Sequence, residues 1–191
     1  MLTAKHEGAG NYHYHFPSSA VIVTARHEGK ENAMTAAWHA PFSFSPPYYG
    51  VLISPRRFTF QLINSSRQFG INFMPLEQAE LAAAVGGSKG AEVNKFEKYN
   101  IKKDSPVKTS VPIIKTAYAA YECRLVDSKT YGDHELFVGE IVAVHFDQKA
   151  FPGKGLDLSS GVAPLLYLGG ENYSSTDKNI TRFVDRQIYG Q

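Results

Sequence analysis

A chain of 191 residues, 43% of them hydrophobic and 20% charged, is long enough for one domain that buries roughly 70% of its unfolded surface. Its formal net charge of +2 is too small to recruit nucleic acid or an anionic membrane by bulk electrostatics. A single cysteine, Cys123, excludes an intrachain disulfide. No apolar run approaches the ~20 residues that span a bilayer, and the opening MLTAKHEGAGNYHYH lacks the apolar centre of a secretory leader. The expectation is a cytoplasmic protein with no nucleic-acid and no membrane partner.

Twelve Phe, eleven Tyr and one Trp fall mostly in short alternating runs, which favours strands. In chain order, SAVIVTA (19–25) reads as a strand, the charged Arg26–Glu31 as a turn, and NAMTAA (32–37) as the returning strand of a hairpin. YYGVLIS (48–54) is a strand entered from Pro46-Pro47, which cannot sit in a central ladder. FTFQLINSS (58–66) predicts a short helix and QFGINFM (68–74) a strand. PLEQAELAAAVGG (75–87) carries the strongest helix signal, with Pro at its first turn, an Ala-rich middle and paired glycines as its stop.

Residues 88–110 read as a loop with one helical turn near EVNKFEKY. Alternation in 115–131 and 134–147 predicts an antiparallel pair joined around Tyr131-Gly132-Asp133. A Gly-rich loop (151–161) precedes a last strand, APLLYLGG (163–170). The expectation is an all-β (β-dominated) single domain over 1–191, most simply a closed Greek-key barrel with a few short helices. The ends, 1–15 and 175–191, read as loosely ordered or in contact with a partner.

Two common nucleotide signatures are absent: neither G-x-G-x-x-G nor G-x-x-x-x-G-K-[ST] occurs. GGSKG (86–90) follows a helix instead of opening one, so a helix stop accounts for it. His13 and His15 would share a face of an extended segment, but no carboxylate or cysteine lies near them to complete a metal site. Cys123 falls mid-strand on an alternating face and reads as a small core residue.

Three stretches carry more chemistry. NAMTAAW (32–38) is bare enough for a flat polar ligand to approach the main chain, or for tight barrel packing; the stretch itself leaves both open. In SPRRFT (54–59), Ser54, Arg57 and Thr59 offer two hydroxyls and a guanidinium where a strand gives way to a helix, a setting suited to phosphate or to an ordinary capped turn. In YGDHELFVGEIVAV, Asp133 and His134 sit at a hairpin tip, either as a solvated turn or with the imidazole at a barrel rim.

In this order these stretches resemble the flavin reductase-like, FMN-binding split-barrel family, including flavoredoxin-like proteins. The likeness runs from SAVIVTA through N-A-M-T-A-A-W, S-F-S-P-P (43–47), R-x-T-x-x-x-I (57–63) and F-x-x-N (69–72). It continues in GDHELFVGEIVAV (132–144) and YLGGENY (167–173). The resemblance implies a Greek-key split β-barrel, a homodimer, and FMN bound near the subunit interface. It implies that Asn32, Ala33, Met34 and Thr35 line the ribityl chain and ring edge, through main chain and the Thr hydroxyl. Ala36 and Trp38 would back the ring, and Ser54, Arg57 and Thr59 would hold the phosphate. Asn72 would support the pocket. His134 would be the catalytic histidine, placed near the flavin and the nicotinamide.

The implied activity is an NAD(P)H-dependent flavin oxidoreductase, with NAD(P)H as transient co-substrate and a small-molecule or protein electron acceptor. The alternative is a non-enzymatic FMN electron carrier reduced by a partner protein. Relatives carry a Ser-Gly ahead of an acidic-Lys-Phe triplet; here GGSKGAEVNKF ends in Asn94-Lys95-Phe96 with altered spacing.

Overall fold

The computed structural model describes residues 4–5, 7–10, 13–180 and 182. Its strands are β1 (Ser18–Ser19), β2 (Val21–His27), β3 (Lys30–Ala36), β4 (His39–Phe44), β5 (Pro47–Ile53), β6 (Gln68–Phe73), β7 (Lys103–Asp104) and β8 (Ile113–Ile114). Two long strands, β9 (Ala119–Tyr131) and β10 (His134–Phe146), are followed by β11 (Leu166–Gly169) and β12 (Asn172–Ser174). Three α-helices, α1 (Phe58–Ser66), α2 (Ala79–Gly87) and α3 (Lys95–Lys98), lie between them.

Seven strands form one antiparallel sheet in the order β3-β2-β6-β9-β10-β5-β4. Its two end strands, β3 and β4, are consecutive in the chain, so the sheet must curl until its ends meet. Ala37 and Trp38 make that passage, and the Leu52 N–H donates to the Trp38 carbonyl at 3.0 Å. The result is a barrel with a split beside residues 36–38, which is the predicted split β-barrel architecture.

The β2–β3 hairpin turns through Glu28 (φ 47°) and Gly29 (φ 78°). Both central residues take the left-handed conformation that matches strand twist in a tight hairpin. Alternation then sorts β3 onto two cores. Met34 and Ala36 face the barrel interior with Val21, Val23, Phe69, Phe137 and the α1 residues Leu62 and Ile63. Ala33 faces outward, packing with Ile22, Ala82, Val85 and Phe96 under α2 and α3. β2 is buried over Val21–Ala25 because both faces are covered.

The predicted helix at 58–66 has those bounds, and the one at 75–87 begins as a 3-10 turn (Leu76–Gln78) before α2. The largest departure is β4: HAPFSF was not predicted as a strand, yet it pairs with β5 at the edge of the sheet. Its residues are mostly exposed, so no burial pattern marked them. The expected final strand is shorter, as β11, and returns through β12 to form a small sheet with β1. The segment expected to be loose through residue 15 includes a 3-10 turn at His13–His15, whose rings pack on Phe16.

Candidate functional site

The split opens into a cavity of about 620 Å3. Its floor is the β3 end and the passage beyond it, from Met34 to Trp38, and its far wall is Leu52, Ile53 and Ser54 at the end of β5. Gly86 of α2 closes one side, and His134 at the start of β10 the other. Two segments form the mouth: His13, Tyr14 and Phe16 from the N-terminal turn, and Tyr167 to Gly170 from the β11–β12 hairpin.

Met34, Arg57 and Gly86 also line a smaller recess of about 130 Å3, so the two spaces adjoin. Asn32, Thr59, Ser88, Gly90 and the charged residues Arg56, Lys89, Glu92 and Lys95 complete the recess. Helix α1 starts there. Its N-cap, Arg57, has extended backbone and no side-chain capping bond, so the first-turn amides carry the partial positive charge of an uncapped helix start.

Two buried polar groups in the recess are incompletely satisfied. Asn32 donates from Nδ2 to Thr59 Oγ1 at 2.9 Å, but its Oδ1 is buried without a partner. Lys95 is 2% exposed and donates from Nζ to the Ala33 carbonyl at 2.9 Å and the Val85 carbonyl at 2.6 Å. Neither acceptor carries a full charge. Burial, and after it the neighbouring Arg57 charge, bring the Lys95 ammonium down to about 8. Gly90 fits against Asn32 only because it lacks a side chain: a Cβ there would collide with Oδ1.

At the other end, His134 Nδ1 lies 2.8 Å from Asp133 Oδ1. A carboxylate only accepts, so Nδ1 carries the proton and Nε2 remains available. That bond and the imidazole charge hold the Asp133 carboxyl below its ordinary range. The imidazole packs against Trp38, with ring centroids 4.9 Å apart.

The structure thus gathers Met34, Thr35, Ala36, Trp38, Ser54, Arg57 and His134 around the large cavity, and Asn32 and Thr59 around the recess. It places three expectations differently. Asn72 lines neither space: its amide donates to the Ile22 carbonyl and Thr24 Oγ1 and accepts from Ile114 N–H, tying β6 to β2 and β8. Ala33 points its side chain into the outer core, and its carbonyl is engaged by Lys95. The Thr35 hydroxyl donates to the Ala82 carbonyl, so that it can only accept from anything in the cavity. Sequence reasoning missed Lys95, visible in the Asn94-Lys95-Phe96 triplet but given no role, and the mouth residues His13, Tyr14 and Tyr167. No pattern in the chain announces that segments 150 residues apart meet.

A family model described as the flavin reductase like domain matches residues 13–176. The chain belongs to that family. Among curated relatives of this flavin reductase-like chain, a protein of Pyrococcus abyssi is 36% identical over 142 residues, covering 74% of this chain and 81% of the relative. The reductase component of an FADH(2)-dependent resorcinol hydroxylase from Rhizobium sp. is 27% identical over 154 residues, covering 80% and 77%. Among solved structures, an FMN-binding protein from Thermus thermophilus with bound p-hydroxybenzaldehyde is 33% identical. It has a TM-score of 0.82 and covers 97% of this chain and 100% of its own. An FMN-binding protein from Thermus thermophilus with bound 1-cyclohex-2-enone is 34% identical, with a TM-score of 0.80, and covers 97% of this chain and 100% of its own. Family membership makes this chain a flavin reductase-like protein of oxidoreductase kind.

Proposed function

We propose that the protein is an FMN-dependent oxidoreductase that takes electrons from NADH or NADPH and passes them to an acceptor. The observation that carries this reading is the pair of adjoining spaces. A cavity of about 620 Å3, with Thr35, Ala36 and Ala37 at the centre of its floor, adjoins a cationic recess at a helix start. The larger volume lies within the ~300–1,000 Å3 typical of small-molecule sites.

The residues present fit FMN in three respects. Ala36 and Ala37 leave the main chain accessible along the cavity floor. The orphaned Asn32 Oδ1 suits a hydroxyl donor from a polyol chain. Arg57 and the uncapped start of α1 suit a phosphate, with Ser54 and Thr59 close by.

Bound FMN would supply the hydride- and electron-accepting chemistry; the chain binds, orients and encloses. His134, with Nδ1–H held by Asp133 and its ring steadied by Trp38, presents Nε2 at the rim to position the nicotinamide. The mouth between Tyr14 and Tyr167 is the approach for an acceptor. Small conjugated carbonyl compounds, of the kind named with the Thermus protein, are the first to test there, beside free flavin, ferric chelates and protein acceptors. The proposal includes a homodimer in the cytoplasm: Phe44 is 98% exposed and Phe42 52% exposed on β4, an edge strand with one unpaired side that a second copy would cover.

Absorption spectra of the purified protein, with and without added FMN and each nicotinamide in air, test the reading. A yellow protein whose melting temperature climbs with FMN, and which consumes nicotinamide, supports it. Bound FMN without nicotinamide oxidation selects the electron carrier. Colourless protein with a flat melting curve across a wide FMN range defeats both.

A further inference from the structure

The motif YLGGENY (167–173) forms the β11–β12 hairpin, and one of its residues stands where turn geometry disfavours it. Gly169 pairs with Asn172, so the loop is the two residues Gly170 and Glu171, with φ of 56° and 68°. Glycine, asparagine or aspartate suits such positions, and a glutamate there is strained. The turn by itself therefore does not account for Glu171, which is exposed.

Glu171 lines a second cavity, of about 650 Å3. That space adjoins the cavity at the split, because Thr35, Ala37, Gly86 and Tyr167 line both. Ala83 and Gly87 give it a bare wall on α2, and Tyr167 and Tyr173, with ring centroids 5.5 Å apart, give it an aromatic one. Burial first, then Tyr167 and then the Glu171 carboxylate push the Tyr173 phenol up, so that hydroxyl stays protonated and able to donate. Among the described lining residues Glu171 is the one charged group, and no lysine or arginine faces it across the cavity. The cations Arg57 and Lys95 line the recess and not this space.

These groups suit one end of a dinucleotide. A heteroaromatic base stacks on tyrosine faces. A carboxylate, which only accepts, is matched by the two adjacent hydroxyls of a ribose. The same carboxylate opposes a phosphate in place of one hydroxyl: a phosphate monoester brings about −1.5 to −2 of charge at neutral pH, and this cavity offers no cation to meet it. We propose, resting on the reductase reading above, that this cavity holds the adenosine end of the nicotinamide dinucleotide. Glu171 accepts from the ribose 2′- and 3′-hydroxyls and makes the protein use NADH in preference to NADPH. The nicotinamide then lies in the adjoining cavity, on the side of His134. In either dinucleotide it gives up one hydride and is oxidised as bound flavin is reduced, and the 2′ substituent is remote from that exchange. The discrimination therefore falls on binding and not on transfer.

The test is anaerobic stopped-flow reduction of FMN-loaded protein by each dinucleotide, reading the half-saturating concentration and the limiting rate. Wild type should half-saturate with NADH at a concentration about 10- to 100-fold lower than with NADPH, the difference expected for one charge-assisted bond, with similar limiting rates. Glu171→Gln should remove most of that preference, and Glu171→Arg should reverse it. Equal half-saturation in wild type, a preference for NADPH, or a Glu171→Gln that shifts both dinucleotides alike would overturn the assignment and leave Glu171 as a turn residue. If no FMN loads, or if neither dinucleotide reduces it, the reductase reading fails and takes the assignment with it. Reduction by both without preference sinks the assignment alone. The wild-type comparison stands even if a variant does not fold.

Discussion

Two buried charges, both on the outer face of the sheet, invite comparison. Glu122 on β9 is fully buried, and so is Lys95 under α2. Around Glu122 the protein has finished the job. Its oxygens accept from the N–H groups of Val107, Lys108 and Thr109, from the Thr109 hydroxyl and from His145 Nε2. Burial alone would push that carboxyl up, but those bonds outweigh it and bring it down to about 2. Lys95 has two carbonyls and, among the described residues, no anionic partner. The complete set pins a loop to a strand; the incomplete one lines a cavity. A satisfied buried charge belongs to the architecture, and an unsatisfied one points to something that binds.

The comparison is sharpened most by breaking the complete set. Glu122→Ala should cost about 3–5 kcal/mol, because it orphans several buried donors at once, read from urea unfolding. The folded-state carboxyl is depressed, so its contribution is full above the unfolded value and lost as pH falls towards about 2. Acid titration of stability should show that loss in wild type and not in the variant.

At Lys95 the sign reverses. Its folded-state value, about 8, lies below the unfolded one, so the unfolded chain holds more protons between roughly pH 8 and 10.4. Stability of the flavin-free protein should therefore rise with pH there, by up to ~1.4 kcal/mol per unit. Lys95→Met should lack that rise. Burial raises Tyr118 to about 12 and shifts Tyr49 and Tyr121 upward too. Their effect is common to both proteins, so the difference isolates the lysine.

Arg57→Ala tests the other cation of the recess. It should weaken FMN by about 1.5–3 kcal/mol while the melting temperature of flavin-free protein stays unchanged, since Arg57 is exposed and its side chain caps nothing. The smallest effect is expected at the rim. His134→Ala should leave FMN affinity intact and slow nicotinamide-driven reduction roughly 10- to 100-fold in stopped-flow absorbance. Unchanged reduction kinetics would remove His134 from its assigned role.

Much of this was legible in the chain. The β2–β3 hairpin, both long strands and α1 were visible because period-two or helical spacing met turn residues at the right places, as at Glu28-Gly29. The cavity floor was visible as a run of small side chains, and the α1 entrance as hydroxyls beside an arginine. Asn72 misled because a buried asparagine looks the same in sequence whether it faces a ligand or three partners of the protein's own. Glu122 was hidden inside an apparently alternating strand: β9 lies mid-sheet with its other face under the 105–113 segment, and local spacing says nothing about what covers a face.

By itself, the order of residues determined the β-dominated architecture, the bare segment at 32–38 and the groups able to hold a phosphate. Those depend on neighbours within a few positions, where steric preference and periodicity act. Only the folded barrel decided that His13, Tyr14 and Tyr167 share one cavity, that Asn72 turns away, and that Lys95 and Arg57 line one recess. Those are matters of long-range packing, set when the sheet curls and its distant segments come together.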